Sequence, residues 1–106
     1  MQHITTPDKS FLVGDVATDL LMRYAAMIAQ LRSGDSVKVN AISGDGDDVV
    51  ATFLINSGTL LTAETTRSSQ QEPDNAELEQ YLRARVAEYA DMPDGYPDVD
   101  DAVEEH

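Results

Sequence analysis

The sequence contains no cysteine and no tryptophan, and its two lysines are Lys9 and Lys38. Without cysteine, neither a disulfide framework nor a thiolate metal site can form. No apolar run approaches the ~18 residues that a membrane span requires. The first residues, MQHITTPDK, lack the basic and hydrophobic regions of a secretory signal. We therefore expect a cytoplasmic chain with no membrane partner.

Positive charge is scarce throughout the chain. Twenty acidic residues face seven basic ones, which gives a formal net charge of −13. Such a surface repels phosphate backbones and anionic lipid, so direct binding to nucleic acid is not expected. The acidity has three interpretations: simple solubility, adaptation to a salty cytoplasm, or complementarity to a basic partner.

Residues that carry catalysis are equally sparse. The two histidines, His3 and His106, lie at opposite ends of the chain, in segments that we expect to be mobile. A catalytic dyad or a zinc site needs partners held in place, and no Gly-x-Ser-x-Gly elbow surrounds any serine. We predict no catalytic residue and no cofactor. Catalysis by carboxylates alone needs no motif, so enzyme activity stays open, with a non-enzymatic role favoured.

One acidic cluster resembles a metal-binding loop. Asp45, Asp47 and Asp48 lie in a turn next to Gly44 and Gly46. An EF-hand loop begins D-x-D-x-D-G and has a glutamate at position twelve. Here the third aspartate comes one place early, and position twelve is Asn56. The sequence therefore favours an exposed turn and predicts no metal site.

The stretch after Gly14 has the period of an amphipathic helix. Asp15 is the expected N-cap, because its carboxylate can accept from the free amides of the first turn. Gly34 is expected to end the helix in the left-handed conformation. The apolar stripe recurs at spacings of three and four residues and is wide, so we expect the helix to be largely buried. It contains Val16, Leu20, Tyr24, Met27 and Leu31, with Ala17, Leu21, Ala25 and Ile28 beside them.

Three segments then alternate as β-strands. They are Ser36–Ser43, Asp48–Asn56 and Thr59–Thr65. Gly and Asp residues join the first pair, and Asn56–Ser57–Gly58 is expected to close a hairpin with Gly58 in the left-handed region. The short run Ser10–Val13 could add an edge strand. This pattern predicts a three-stranded antiparallel meander.

The second of these strands is apolar on both faces. Val50, Thr52 and Leu54 form one face, opposite the face that contains Phe53. A strand of this kind is normally central and covered on both sides. Either the helices take opposite faces of the sheet, or a second copy of the chain supplies the missing layer. We favour the homodimer, since monomers avoid large exposed apolar patches, and we predict an interface at Val50, Thr52 and Leu54.

A second amphipathic helix follows a polar loop. Asp74 is its expected N-cap, with Glu77 at the capping-box position. The predicted fold class is therefore α+β, with a three-stranded antiparallel meander flanked by two helices in the order α-β-β-β-α. The predicted domain organisation is a loose N-terminus over 1–9, one domain over 10–92 and an acidic disordered tail over 93–106.

The tail is the most acidic part of the chain. Residues 91–106 hold seven acidic residues and neither Lys nor Arg. A segment of this composition buries too little apolar surface to offset its ordering entropy. Its aromatic residue, Tyr96, stands near Asp98, Asp100 and Asp101. Acidic and hydrophobic residues in alternation are typical of short interaction motifs, and an inert solubilising tail is the other interpretation.

The stretch Leu31–Arg32–Ser33–Gly34–Asp35–Ser36, together with the order of elements, resembles a family of small actinobacterial proteins of about a hundred residues. In that family a similar K/R-L-R-x-G-E-S-F stretch follows the first helix. The resemblance covers about residues 10–90, and this chain lacks the strand aromatics that the family usually carries. The family has no assigned activity, so the resemblance implies no site.

Two functional hypotheses follow. The first is a non-enzymatic protein-interaction or regulatory module that engages a basic partner through its acidic surface and tail. The second is a small-molecule-binding domain or accessory enzyme with a pocket between the sheet and the helices. A concave pocket with convergent polar groups would favour the second hypothesis.

Overall fold

A computed structural model describes residues 1–90 of the chain. It contains five strands and two helices: β1 (Gln2–Thr5), β2 (Ser10–Val13), α1 (Asp15–Gln30), β3 (Asp35–Ser43), β4 (Asp48–Ile55), β5 (Thr62–Thr65) and α2 (Ala76–Ala90). The predicted α+β class is confirmed. The predicted three-stranded meander is too small, because the sheet has five strands.

The strands pair in the order β4-β3-β2-β1-β5, and every pair is antiparallel. The expectation of a loose N-terminus over residues 1–9 is therefore wrong. β1 lies between β2 and β5, and Ile4 at its centre is fully buried. Four residues are too few for a periodic signal. β1 is paired on one side by the next strand, β2, and on the other by β5, which is distant in sequence.

The predicted hairpin between the last two strands is absent, since β4 and β5 lie at opposite edges of the sheet. A turn does form there, and the Thr59 N–H donates to the Asn56 carbonyl at 3.2 Å. The Asn56 side chain also accepts from the Gly58 N–H at 2.8 Å. Positive φ occurs instead at Gly46 (89°) and Arg32 (53°), and not at Gly58 or Gly34.

One face of the sheet, the inner face, holds the core. Residues directly opposite each other in a ladder share a face, and Val37 lies opposite Phe53. Both helices contribute to the same core, so both lie on the inner face. Its buried members are Ile4, Val13, Ala17, Leu21, Tyr24, Ile28, Val37, Val39, Ala41, Phe53, Ile55 and Leu82.

The helix α1 begins where the sequence predicts, but its first turn differs from the prediction. Asp15 is the first helical residue, Gly14 is the N-cap, and no side chain caps the helix. Within the wide predicted stripe Val16 is 44% exposed, so the buried side is centred nearer to Ala17 and Leu21 than to Val16. The buried residues of α1 are Ala17, Thr18, Leu21, Tyr24, Met27 and Ile28.

The start of α2 is fastened to the sheet. The helix begins at Ala76, and the Asn75 carbonyl accepts its first bond, so Asn75 and not the predicted Asp74 is the N-cap. The Asp74 carboxylate still accepts from the Ala76 N–H at 2.9 Å. The side-chain oxygen of buried Asn75 accepts from the Asn40 N–H at 2.9 Å, and its NH₂ group donates to the Asn40 carbonyl at 2.8 Å. Asn75 thereby continues the β3 ladder where β2 ends at Val13.

Candidate functional site

The outer face of β4 is the most exposed apolar surface on the sheet. Val50 is 63% exposed and Leu54 is 66% exposed, and Thr52 is exposed between them. The structure thus brings together the three residues that the sequence predicts as an interface. β4 is an edge strand of the described sheet, so its predicted central position is wrong.

The arrangement of the helices leaves one of the two apolar faces of β4 uncovered. Its inner residues Phe53 and Ile55 pack in the core with both helices. No helix remains to cover the other face within residues 1–90. On the neighbouring strand β3, the residues opposite Leu54, Thr52 and Val50 are Ser36, Lys38 and Asn40. On this part of the outer face, the exposed apolar side chains are therefore on the edge strand β4, and the side chains opposite them on β3 are polar.

A groove of about 950 Å³ runs along the same edge. Its walls come from residues 49–54 of β4, the β1–β2 turn at residues 6–10, and residues 43–45 and 58–61. Phe11 and Phe53 meet there edge to face, with ring centroids 5.8 Å apart. The predicted pocket lay between the sheet and the helices, whereas this groove opens at the free edge of β4.

The free edge of β4 is covered at one end. The Thr59 hydroxyl donates to the Leu54 carbonyl at 3.0 Å and accepts from the Asn56 N–H at 2.9 Å. In the described part of the chain, no strand pairs with β4 on this side. Unpaired strand edges are sites where another chain can add, and proteins usually protect them with charge, proline or a bulge. Asp48, at the start of β4, is the acidic residue on this strand.

A second cluster, which we call the Asp35 junction, joins α1, α2 and the start of β3. It consists of Tyr24, Asp35, Tyr81, Arg85 and Tyr89. The hydroxyls of Tyr24 and Tyr81 both donate to one oxygen of the Asp35 carboxylate, each at 2.5 Å. Arg85 donates to the Tyr24 hydroxyl at 3.4 Å and to the Tyr89 hydroxyl at 2.5 Å.

These contacts move the pKa values of Asp35, Tyr24 and Tyr81 further from neutral pH. Burial raises the pKa of Asp35, but hydrogen bonds from Tyr24, Tyr81 and the Ser36 N–H outweigh it, so the pKa lies below the ordinary 3.8. Burial and the bond to Asp35 raise the pKa of Tyr24 above 10.0, and the bond to Asp35 also raises that of Tyr81. The Tyr24 hydroxyl raises the pKa of Arg85.

A general acid or base works best with a pKa near the working pH. The shifts at the Asp35 junction run in the opposite direction, because the carboxylate stays ionised and the phenols stay protonated. Tyr24 is fully buried as well. The cluster therefore has the properties of a polar clamp between two helices and a strand, and it offers no group for proton transfer.

His3 lies on β1, although the sequence predicts a mobile segment. Its Nδ1 is 3.5 Å from the Ser10 hydroxyl, and Glu64 is its cross-strand neighbour on β5. This arrangement has the residue types of a nucleophile, a base and an acid. It lies on an open strand face with Ser10 and Glu64 exposed, and no enclosed pocket excludes water around it. We assign it no chemistry.

The acidic turn at Asp45, Asp47 and Asp48 is exposed. Within residues 1–90, no group of three His, Cys, Asp or Glu side chains is placed to hold a metal ion. Over the same residues, no helix has the length and apolar character needed to cross a bilayer. The predicted tail motif at Tyr96, Asp98, Asp100 and Asp101 lies outside the described residues.

Comparison with known proteins adds no relative: no family model, no curated protein and no solved structure matches this chain. The actinobacterial resemblance therefore stays a prediction. The candidate site rests on the geometry of residues 1–90 alone.

The sequence did not predict the Asp35 junction. Tyr24 and Tyr81 each fit an apolar helical stripe, and Asp35 fits the turn between a helix and a strand. Their partnership depends on the packing of α1 beside α2, with the Tyr24 and Tyr89 rings stacked at 6.3 Å. The sequence feature that could have indicated this cluster is the pair of tyrosines on α2, eight residues apart at 81 and 89.

Proposed function

We propose that this chain is a non-enzymatic protein-interaction module that docks its partners along the free edge of β4. The observation that supports this function is the exposure of Val50 and Leu54, at 63% and 66%, on an edge strand. Edge strands bind extended segments through main-chain hydrogen bonds, and adjacent side chains supply specificity. The pKa shifts at the Asp35 junction give no competing support for catalysis.

Affinity capture with matched variants tests this proposal. The full chain carrying Val50→Glu and Leu54→Glu is compared with wild type as bait, with captured proteins quantified by mass spectrometry. The control is Val16→Glu, which places one such carboxylate at an exposed apolar position of α1. We expect the double variant to lose the wild-type partners at least tenfold and the control to keep them. Equal capture by all three baits contradicts the proposal.

The acidic balance suggests a more specific form, in which the partner is basic. Asp45, Asp47 and Asp48 stand exposed at one end of the docking edge, and residues 91–106 add seven further acidic residues. Attraction between opposite charges weakens as salt screens it. Affinity should therefore fall steeply between about 50 and 500 mM salt, and deletion of 91–106 should weaken it. A complex insensitive to salt and to the deletion excludes a basic partner.

The groove supports a second candidate, which is binding of a small apolar molecule. Its volume of about 950 Å³ suits such a ligand, and the Phe11–Phe53 pair gives it an aromatic wall. Anilinonaphthalene sulfonate is a suitable probe, since its fluorescence rises in apolar sites. Ala51→Phe should fill the groove and abolish the signal, whereas Ala26→Phe, on the exposed face of α1, should leave it unchanged. No signal with wild type removes this candidate.

A further inference from the structure

The backbone groups on the free edge of β4 can be assigned from its neighbour. In an antiparallel ladder, residue pairs alternate between those that exchange hydrogen bonds and those whose N–H and C=O groups point away from each other. Asn40 lies opposite Val50, and its N–H and C=O both bond to the Asn75 side chain. The Asn40–Val50 pair is therefore of the second kind, and the polar backbone groups of Val50 face the free edge.

The same alternation extends along the strand. Thr52 and Leu54 also direct their backbone groups to the free side. The bond from the Thr59 hydroxyl to the Leu54 carbonyl agrees with this assignment, since Thr59 belongs to the segment after β4 and not to β3. Val50 and Thr52 thus direct N–H and C=O groups toward an added strand. Leu54 offers its N–H and the second lone pair of its carbonyl, since the first accepts from the Thr59 hydroxyl.

When β4 is reversed about Thr52, its apolar residues fall opposite apolar residues. With Thr52 opposite Thr52 of a second copy, Val50 of each chain faces Leu54 of the other on the outer face. Ala51 then faces Phe53 on the inner side, where the groove gives the added side chains room. Every residue with outward backbone groups meets another such residue, so the register satisfies the hydrogen-bond alternation of an antiparallel pair.

Charge selects the antiparallel orientation. The net charge of −13 opposes association of two copies. Asp45, Asp47 and Asp48 lie at the start of β4, whereas Asn56, Ser57 and Gly58 at its other end carry no charge. Antiparallel pairing places the acidic turn of each copy beside the neutral turn of the other, and a parallel pair would bring the two acidic turns together.

We propose that two copies of this chain pair their β4 strands antiparallel, about a two-fold axis at Thr52, so that their sheets join into one continuous sheet. This inference rests on the proposed function, because it names a second copy as one occupant of the same docking edge. A second copy is acidic, so its pairing has the opposite salt dependence to that of a basic partner. The homodimer favoured from the sequence thereby gains a specific register. A contact limited to one strand pair is small, so the dissociation constant should be on the order of micromolar.

Sedimentation velocity of the full chain tests the association, at concentrations from about 5 to 500 μM and at low and high salt. We expect a dimer that strengthens with salt, since salt screens repulsion between like charges. Val50→Glu should weaken the dimer at least tenfold, while Val16→Glu should leave it unchanged. A monomer at every concentration overturns the inference, and so does a dimer that Val50→Glu does not weaken.

Disulfide trapping tests the register, because the chain has no cysteine of its own. Under mild oxidation, Thr52→Cys should form a covalent dimer. Lys38→Cys is the matched control, since Lys38 lies directly opposite Thr52 on β3 and so away from the edge. A mixture of Val50→Cys and Leu54→Cys chains should cross-link better than either alone. Equal trapping at Lys38 and Thr52 overturns the two-fold pairing.

These outcomes separate the inference from the proposed function. If the wild-type chain is a monomer, yet Val50→Glu with Leu54→Glu loses captured proteins, then the edge binds a different chain and only the two-fold pairing is wrong. If the charged variants capture the same proteins as wild type, then the docking function is wrong whatever the oligomeric state.

Discussion

The Asp35 junction and the free edge of β4 differ in how completely their polar groups are paired. At the junction, one carboxylate oxygen accepts from two phenols, and Arg85 joins the hydroxyls of Tyr24 and Tyr89. Along the edge, the Thr59 hydroxyl covers the Leu54 carbonyl, and no strand of the described sheet pairs further. Satisfied networks fix a structure, whereas an unpaired edge has bonds left to form with another chain.

The Asp35 junction therefore has the properties of a structural cluster, and the free edge of β4 has those of a binding site. A cluster of shifted pKa values often indicates function, but structural networks produce such clusters too. The direction of the shifts separates the two cases here, because the junction keeps each group in its ordinary charge state. This comparison predicts that substitutions at the junction change stability, and that substitutions at the edge change association.

The largest effect should come from the inner side of β4. Phe53→Ala removes a ring that is 6% exposed and packed against Phe11, and we expect a loss of about 3–5 kcal/mol in the free energy of unfolding. Leu54→Ala, one residue away and 66% exposed, should cost less than about 0.5 kcal/mol. Urea unfolding followed by circular dichroism measures both. Similar losses would show that the outer face is also buried in solution.

The next effect tests the junction. Asp35→Ala leaves the hydroxyls of Tyr24 and Tyr81 without their acceptor. Tyr24 is fully buried, whereas Tyr81 is exposed and can bond to water, so we expect a loss of about 2–3 kcal/mol from the unsatisfied Tyr24 donor. The control is Asp45→Ala, which removes the same charge from an exposed turn and should change stability by less than about 0.5 kcal/mol. Dimerisation of folded Asp35→Ala should remain. Loss of dimerisation without loss of stability would reverse the roles of the two regions.

A smaller effect is expected at the attachment of α2 to β3. Asn75→Ala removes both bonds to the Asn40 backbone and should lower the free energy of unfolding by about 1–2 kcal/mol. Gln80→Ala, at an exposed position of α2, is the control. Hydrogen exchange at the Asn40 amide should accelerate in Asn75→Ala alone. An unchanged rate would mean that this amide is protected by another group.

The smallest effect should be the pH dependence of the junction. Because the pKa of Asp35 is lower in the folded chain, its stabilisation is complete above the ordinary 3.8 and is lost as pH falls through the folded value. The raised pKa of Tyr24 gives the reverse dependence, so that its stabilisation is complete below pH 10.0 and declines above it. Urea unfolding from pH 5 to 2 should show a shallower decline in Asp35→Asn, and from pH 9 to 11 in Tyr24→Phe.

Local patterns predicted some elements closely. The three-to-four spacing located α1 and α2, and two-residue alternation located β3 and β4, since each pattern describes one element burying one face. The exposed face of Val50, Thr52 and Leu54, which we propose as an interface, was recognisable because two-sided apolarity is visible within one strand. The Asp35 junction could not be predicted, since Tyr24 and Tyr81 meet through helix packing that joins distant segments.

What the sequence determined by itself is the alternation of β4, which places Val50 and Leu54 on one face and Phe53 on the other. Only the tertiary structure decided that β4 is an edge strand. The N-terminal strand β1 occupies the middle of the sheet and pairs with β5, so β5 is unavailable to cover β4. Strand order depends on pairing between distant segments, and no local pattern of side chains encodes it.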